Sequence, residues 1–212
     1  MSEYHKIETL YERDDKTHRL KPELILKNRV YGIVNPWIWT EKIDGTNIRA
    51  IWKDGKLTFG GKTDNAQIHA DLVKWLYEHI TPESIRAAFP EDVTDVVIYG
   101  EGYGAGIQKA GGVYSPVKQF IVFDVNVGGW WLSDENMRDV AEKLNLSAVP
   151  LIGTLTLAEA TEMVRKGFKS RASIAIHDAE GLVGRPVEAL FDKKGSRLIV
   201  KLKTKDFAEA TQ

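Results

Sequence analysis

The chain of 212 residues contains no cysteine, which excludes disulfide bonds and thiolate-bound metals. No apolar run approaches the ~18 residues a membrane span needs, and the polar N-terminus lacks an apolar signal-peptide core. A cytoplasmic protein with no use for a membrane is therefore expected. Charge of one sign is also missing: 29 Lys and Arg against 30 Asp and Glu leave a formal net charge of −1. That balance is unusual for a protein that binds nucleic acid through its whole surface, so any such contact is expected from a local basic cluster. No phosphate loop ending in Gly-Lys-Ser/Thr is present. The glycine-rich stretch around Glu101 also fails the dinucleotide fingerprint, because Ala105 stands where its last glycine would fall. No repeat, low-complexity tract or linker interrupts the chain, and its length suits a single domain over residues 1–212.

What is present is a succession of short elements. Leu24–Leu26 reads as a short strand, with Asn35-Pro36 as a break after it. Trp37 to Asp44 and Thr46 to Trp52 alternate as strands, and Lys53-Asp54-Gly55-Lys56 is a hairpin signal returning through Leu57-Thr58-Phe59. Leu72, Val73, Leu76 and Ile80 predict a helix over 69–80. Thr81-Pro82 opens a second helix to Phe89, and Ser133 caps a third carrying Met137, Val140, Ala141 and Leu144. Thr156 with Glu159 forms a capping box for a fourth helix, which Gly167 ends. Strands are predicted at 96–99, 120–127, 173–176, 181–187 and 197–203. Strands outnumber helices and pair locally, so the fold class is α+β with largely antiparallel sheets.

Five places carry chemistry, and all but Glu180 admit two readings on their own. Lys42, in Glu41-Lys42-Ile43-Asp44-Gly45-Thr46-Asn47, interrupts a strand-forming run before an Asp-Gly. Period-2 geometry sets Ile38, Thr40, Lys42 and Asp44 against Trp37, Trp39, Glu41 and Ile43. Such a lysine is either a solvated edge residue or, where desolvation and cations disfavour its ammonium form, a nucleophile. Glu101, in Tyr99-Gly100-Glu101-Gly102, is either a solvated turn acid or a group that a ligand approaches between glycines. Phe123 is either core or a ring for stacking on a purine. Glu180 heads a strand as a hard oxygen donor suited to Mg²⁺. Lys201, Lys203 and Lys205 share one strand face, opposite the core-facing Leu198, Val200 and Leu202. They form either a solvated edge or a triphosphate grip that would also lower the pKa of a neighbouring lysine.

The order of these parts is less ambiguous than any one of them. Lys-x-Asp-Gly, Gly-Glu-Gly, an aromatic strand, Glu-Gly-Leu-Val and Lys-x-Lys span residues 41–203. That series resembles the motifs of the covalent nucleotidyltransferases, polynucleotide ligases and capping enzymes. Glu41–Asn47 and Phe59–Asn65 are most similar to RNA ligases of the class typified by phage RNA ligase 2 and its short phage and bacterial relatives.

The resemblance implies two antiparallel sheets flanked by helices, with an ATP cleft between. It implies Lys42 as the nucleophile that becomes a lysyl-adenylate, Glu41 and Asn47 among the nucleotide contacts with Glu41 at the adenine edge, and Phe123 stacked on adenine. Glu101 would touch the ribose or the metal shell and Glu180 would organise Mg²⁺ (or Mn²⁺), while Lys201 and Lys203 would grip the α-phosphate region. Lys62 stands near a position where the family often has a phosphate-contacting arginine; it keeps the charge but not the bidentate fork. The implied reaction joins RNA 5′-phosphate and 3′-hydroxyl ends, in a nicked duplex or otherwise aligned, as in RNA repair. No counterpart of the accessory C-terminal domain of many ligases is expected after Lys205, which disfavours a DNA ligase or a GTP-using capping enzyme. It also leaves room for a protein partner and leaves Lys62, Lys109, Lys118 and the 201–205 face as cations for RNA. A non-catalytic nucleotide or RNA sensor would be expected to have lost Lys42, Glu180 or Lys201, and all three remain.

Overall fold

A computed structural model describes residues 3–208. Its strands are β1 (Glu8–Thr9), β2 (Trp37–Glu41), β3 (Thr46–Lys53), β4 (Lys56–Gly60), β5 (Asp95–Tyr103), β6 (Gln119–Val127), β7 (Trp130–Trp131), β8 (Ser147–Ala148), β9 (Leu151–Leu155), β10 (Gly181–Pro186) and β11 (Val200–Lys203). Its helices are α1 (Ala70–His79), α2 (Pro82–Ala88), α3 (Asp134–Lys143), α4 (Leu157–Lys166) and α5 (Lys205–Ala208). The fold is α+β, as expected, and its two sheets are mainly antiparallel; β1 with β11 and β6 with β8 are the parallel pairs. The described residues fall into two compact units, each with its own sheet and core.

The first unit comprises Asp44–Val149, with Tyr4 and Ser173–Ala175. Its sheet runs β4-β3-β5-β6-β7, with β8 beside β6. Asp54 and Gly55 both take positive φ, the backbone a two-residue hairpin needs, and so fix the register of β3 on β4. Ile48, Ala50 and Trp52 alternate into a core shared with Leu72 and Leu76 of α1, Ile85 of α2 and Met137 and Val140 of α3. Thr81 caps α2 reciprocally with Ser84, and Ser133 caps α3 through the amide of Asn136. A register shift between Tyr99 and Gly100 lets Asp124 pair with Tyr99 while Val122 pairs with Gly100, so Phe123 is the extra residue on β6.

The second unit holds His5–Ile43, Pro150–Ala172 and the described chain from Ile176 onward. Its sheet runs β1-β11-β10-β2-β9. Trp37 and Trp39 are fully buried and pack with Leu182, Val200, Leu202 and Ala160 and Val164 of α4. Their indole N–H groups donate to the carbonyls of Val34 and Leu155. The Thr156–Glu159 capping box opens α4, and Gly167 with positive φ closes it.

Four sequence expectations are corrected. Leu24–Leu26 is not a strand: Leu24 has φ +48°, its amide closes a turn on the Lys21 carbonyl, and only Leu26 forms a bridge, to Tyr11. Residues 173–176 are irregular; Ile174 and Ile176 alternate as a strand would but are both exposed, with no core to face. The last strand begins at Val200 rather than 197, because Arg197 and Leu198 pair with Phe191 and Leu190 outside the sheet. Lys205 opens α5 and so leaves the face it was expected to share with Lys201 and Lys203. Leu151–Leu155, absent from the sequence expectations, is the edge partner of β2.

Candidate active site

Lys42 lies one residue beyond β2, and its amide still donates to the Gly181 carbonyl at 2.9 Å. That bond carries the strand pairing one row further, because Gly181 also pairs with Lys203 on β11. Two residues along, on the same face, the row is Thr40, Val183 and Lys201. Lys42 thus shares one end and one face of the second unit's sheet with Lys201 and Lys203, which lie far along the chain. Glu180, immediately before β10, receives two of them: its Oε2 lies 2.5 Å from Lys42 Nζ and its Oε1 2.8 Å from Lys203 Nζ. The three side chains are 21%, 17% and 22% exposed for Lys42, Glu180 and Lys203, so water screens these pairs only in part. Gly181 is required here because a Cβ would meet the Leu202 carbonyl oxygen at 2.0 Å.

Burial lowers the pKa of Lys201 first, and the neighbouring Lys203 and Lys42 lower it further. Lys42 and Lys203 share the carboxylate of Glu180, and Lys201 beside them is offset in part by Glu8, which leaves a partly buried cationic surface suited to oxyanions of a polyphosphate. Glu180 shields the charges of Lys42 and Lys203 together.

Glu41 projects from the opposite side of the chain to Lys42 and is 1% exposed. Its carboxylate accepts from the Ser170 hydroxyl and from the Arg171 amide at 2.7 Å. Ser170 and Arg171 were not foreseen from sequence, since nothing local links them to a glutamate 129 residues away.

In the first unit, Asn47 and Glu101 are direct cross-strand partners on β3 and β5, and Glu101 in turn faces Ile121 on β6. The strand period puts Asn47, Glu101, Ile121 and Phe123 on one face, and the bulge adds Asp124 to it. Tyr4 lies on that face: its hydroxyl donates to Asp124 Oδ2 at 2.8 Å, and its ring packs edge-on to Phe123 at 5.0 Å. Gly45 is held to glycine by this face, since a Cβ would sit 2.3 Å from the Gly102 oxygen and 2.7 Å from Glu101 Cγ. Lys62 is exposed on the loop after β4, while Lys118 is paired with Asp71 at 3.2 Å. The sequence-predicted residues therefore gather into two sets: Glu41, Lys42, Glu180, Lys201 and Lys203 in one unit, and Asn47, Lys62, Glu101 and Phe123 in the other.

For a divalent cation, the donor chemistry is informative. Among the described residues no three His, Asp or Glu side chains converge, so a protein cage is absent there. Mg²⁺ ordinarily keeps waters and binds through one or two carboxylates plus substrate phosphates, and Glu180 beside a polyphosphate surface fits that pattern.

No curated protein matches the chain in sequence. Solved structures of Naegleria gruberi RNA ligase are similar in fold. A variant with ATP and manganese superposes with a TM-score of 0.67 at 17% identity over 97% of this chain. A form with pyrophosphate gives 0.64 at 16% over 98%. This chain covers 60% and 64%, respectively, of those two proteins. Residues 35–203 match the RNA ligase family, and the match encloses both sets of candidate residues. With the ligase fold and that match over most of its length, the chain belongs to the RNA ligase family.

Proposed function

We propose that the protein is an ATP-dependent RNA ligase that works through a lysyl-adenylate, serving RNA repair. The observation that carries this reading is the pairing of Lys42 and Lys203 on the carboxylate of Glu180, with Lys201 beside them.

Binding of ATP phosphates gives Lys201 and Lys203 new anionic partners. Once its proton has passed to solvent water, Lys42 Nζ attacks the α-phosphorus in line; an N–P bond forms, the α–β bridging P–O bond breaks, and pyrophosphate departs. Lys62 contacts the phosphates, Phe123 stacks on adenine, and Asn47 and Glu101 hold the nucleoside. Glu41, acceptor-only as a carboxylate, suits the exocyclic amine of adenine and repels a carbonyl oxygen at the same position. A divalent cation held by Glu180 and the phosphates would neutralise charge as it develops. An oxygen of the RNA 5′-phosphate then takes AMP from Lys42, restoring the amine. A 3′-hydroxyl next attacks that 5′-phosphorus, forming the phosphodiester and releasing AMP.

The test is incubation with radiolabelled ATP, GTP or NAD, followed by sealing by pre-adenylated protein on matched nicks with RNA or DNA 3′-ends. Covalent label from ATP alone and faster sealing of RNA 3′-ends are expected, since the 2′-hydroxyl distinguishes the strands. Equal rates on all-DNA nicks would make it a DNA ligase. An unlabelled protein that still binds nucleotide would make it a sensor.

A further inference from the structure

Arg49 is the most deeply buried cation of the first unit, 1% exposed in the middle of β3. Alternation sets it opposite Ile48 and Ala50, on the face that carries Asn47 and Glu101. Its guanidinium reaches across to the loop that follows β4. Nε donates to the Gly61 carbonyl and Nη2 to Asp64 Oδ1, both at 2.8 Å. The hairpin register makes Gly60 the cross-strand partner of Arg49, and a Cβ there would lie 3.0 Å from Nη2. The two contacts bracket Lys62 on either side. The third nitrogen, Nη1, is buried with no hydrogen-bond partner among the described residues.

A guanidinium buried with one amino end unpaired is a poor device for stability, because an aliphatic chain of similar volume would fill the space without the desolvation cost. What an aliphatic chain cannot do is fix two points of a glycine-rich loop at once. Gly60 and Gly61 lose the most backbone freedom on ordering, and Lys62 adds a flexible stem of its own. A cation meant for a phosphate needs that freedom removed beforehand.

We propose that Arg49 is a positioning residue: it clamps the Gly60–Asn65 loop so that Lys62 is presented to the polyphosphate in a preset geometry. This rests on the phosphate role given to Lys62 above, and the experiment separates the two. Hydrogen exchange of the whole chain without nucleotide reads the clamp directly. Arg49→Gln, and Asp64→Asn on the exposed partner, should each speed exchange at residues 61–65 by about ten-fold, with β5 and α1 amides unchanged. Asp64, 75% exposed in its side chain, can be changed without disturbing a core, so the test survives if Arg49→Gln fails to fold. Unchanged exchange in Asp64→Asn and in any folded Arg49→Gln overturns the clamp.

Single-turnover self-adenylation against ATP concentration then reads the coupling. Asp64→Asn should raise the ATP needed for half-maximal rate, and Arg49→Gln should slow adenylation by up to roughly 10²-fold. In a Lys62→Ala background neither change should cost more. Losses that simply multiply in the double variants overturn positioning through Lys62. If the unsubstituted protein takes no label from ATP, the adenylation reading fails, while the exchange rates still decide whether Arg49 holds the loop.

Discussion

Replacing Glu180 with glutamine keeps the shape of the side chain and removes the one carboxylate that both Lys42 and Lys203 contact, at 2.5 and 2.8 Å. Lys42 and Lys203 then share one end of a sheet with Lys201 and lose the carboxylate they both contact. Exposed ion pairs contribute about 0–1 kcal/mol, whereas removing one partner of a fully buried pair costs about 3–5 kcal/mol. With side chains 17–22% exposed, this cluster lies between those limits, and we expect a loss of about 2 kcal/mol. For a chain of this size that lowers the thermal midpoint by roughly 4–8 °C. Lys42→Met makes an instructive contrast: Glu180 keeps Lys203 and the crowd of like charges shrinks, so the midpoint should fall by under about 2 °C. Thermal unfolding followed by circular dichroism at low and high salt measures both. Added salt should narrow the gap for Glu180→Gln by screening the exposed part of the repulsion. If Glu180→Gln melts with the unsubstituted protein at every salt concentration, or if Lys42→Met is the worse of the two, the carboxylate does not organise the cluster and the reasoning fails.

Lys42→Ala should abolish covalent label from ATP while leaving far-ultraviolet circular dichroism unchanged; undiminished label would transfer the nucleophile to another residue. Glu180→Ala and Lys201→Ala should each slow adenylation by ~10²–10³, and Lys205→Ala, on α5 and off the lysine face, should be nearly neutral. Burial and its cationic neighbours lower the pKa of Lys201, so between that lowered value and about 10.4 the unfolded chain binds more protons than the folded one. Stability contributed at this site therefore rises with pH through that window and is least below it. Lys201→Met should flatten that rise and raise the midpoint at neutral pH, and a steeper profile would contradict the sign. Gly45→Ala places a Cβ 2.3 Å from a carbonyl oxygen, so a cost of about 1–3 kcal/mol by denaturant titration is expected, along with weakened labelling.

Local chemistry was legible in the sequence wherever a short-range rule decides it. The Asp54-Gly55 turn, the Thr81 and Thr156 caps and the 200–203 alternation each depend on residues within four positions, and each stands in the fold. The hairpin even contained the pairing of Arg49 with Gly60, because a two-residue turn fixes the count back along both strands. Alternation failed at 173–176 for a physical reason: it reports a strand only when one face is buried, and burial there depends on chain far away.

Residue types and their order are written in the chain: the lysine before Asp-Gly, the glutamate between glycines, the acid heading a strand and the paired lysines. Which of them meet depends on the fold. Strand order β11-β10-β2 brings Glu180 onto Lys42 across 138 residues, and the fold closes Ser170 onto Glu41 and Tyr4 onto Asp124. Periodicity assigns a side chain to a face but carries no register between strands distant in the chain. That register is set by burying Trp37, Trp39, Leu182 and Leu202 together, and the charged contacts follow from it.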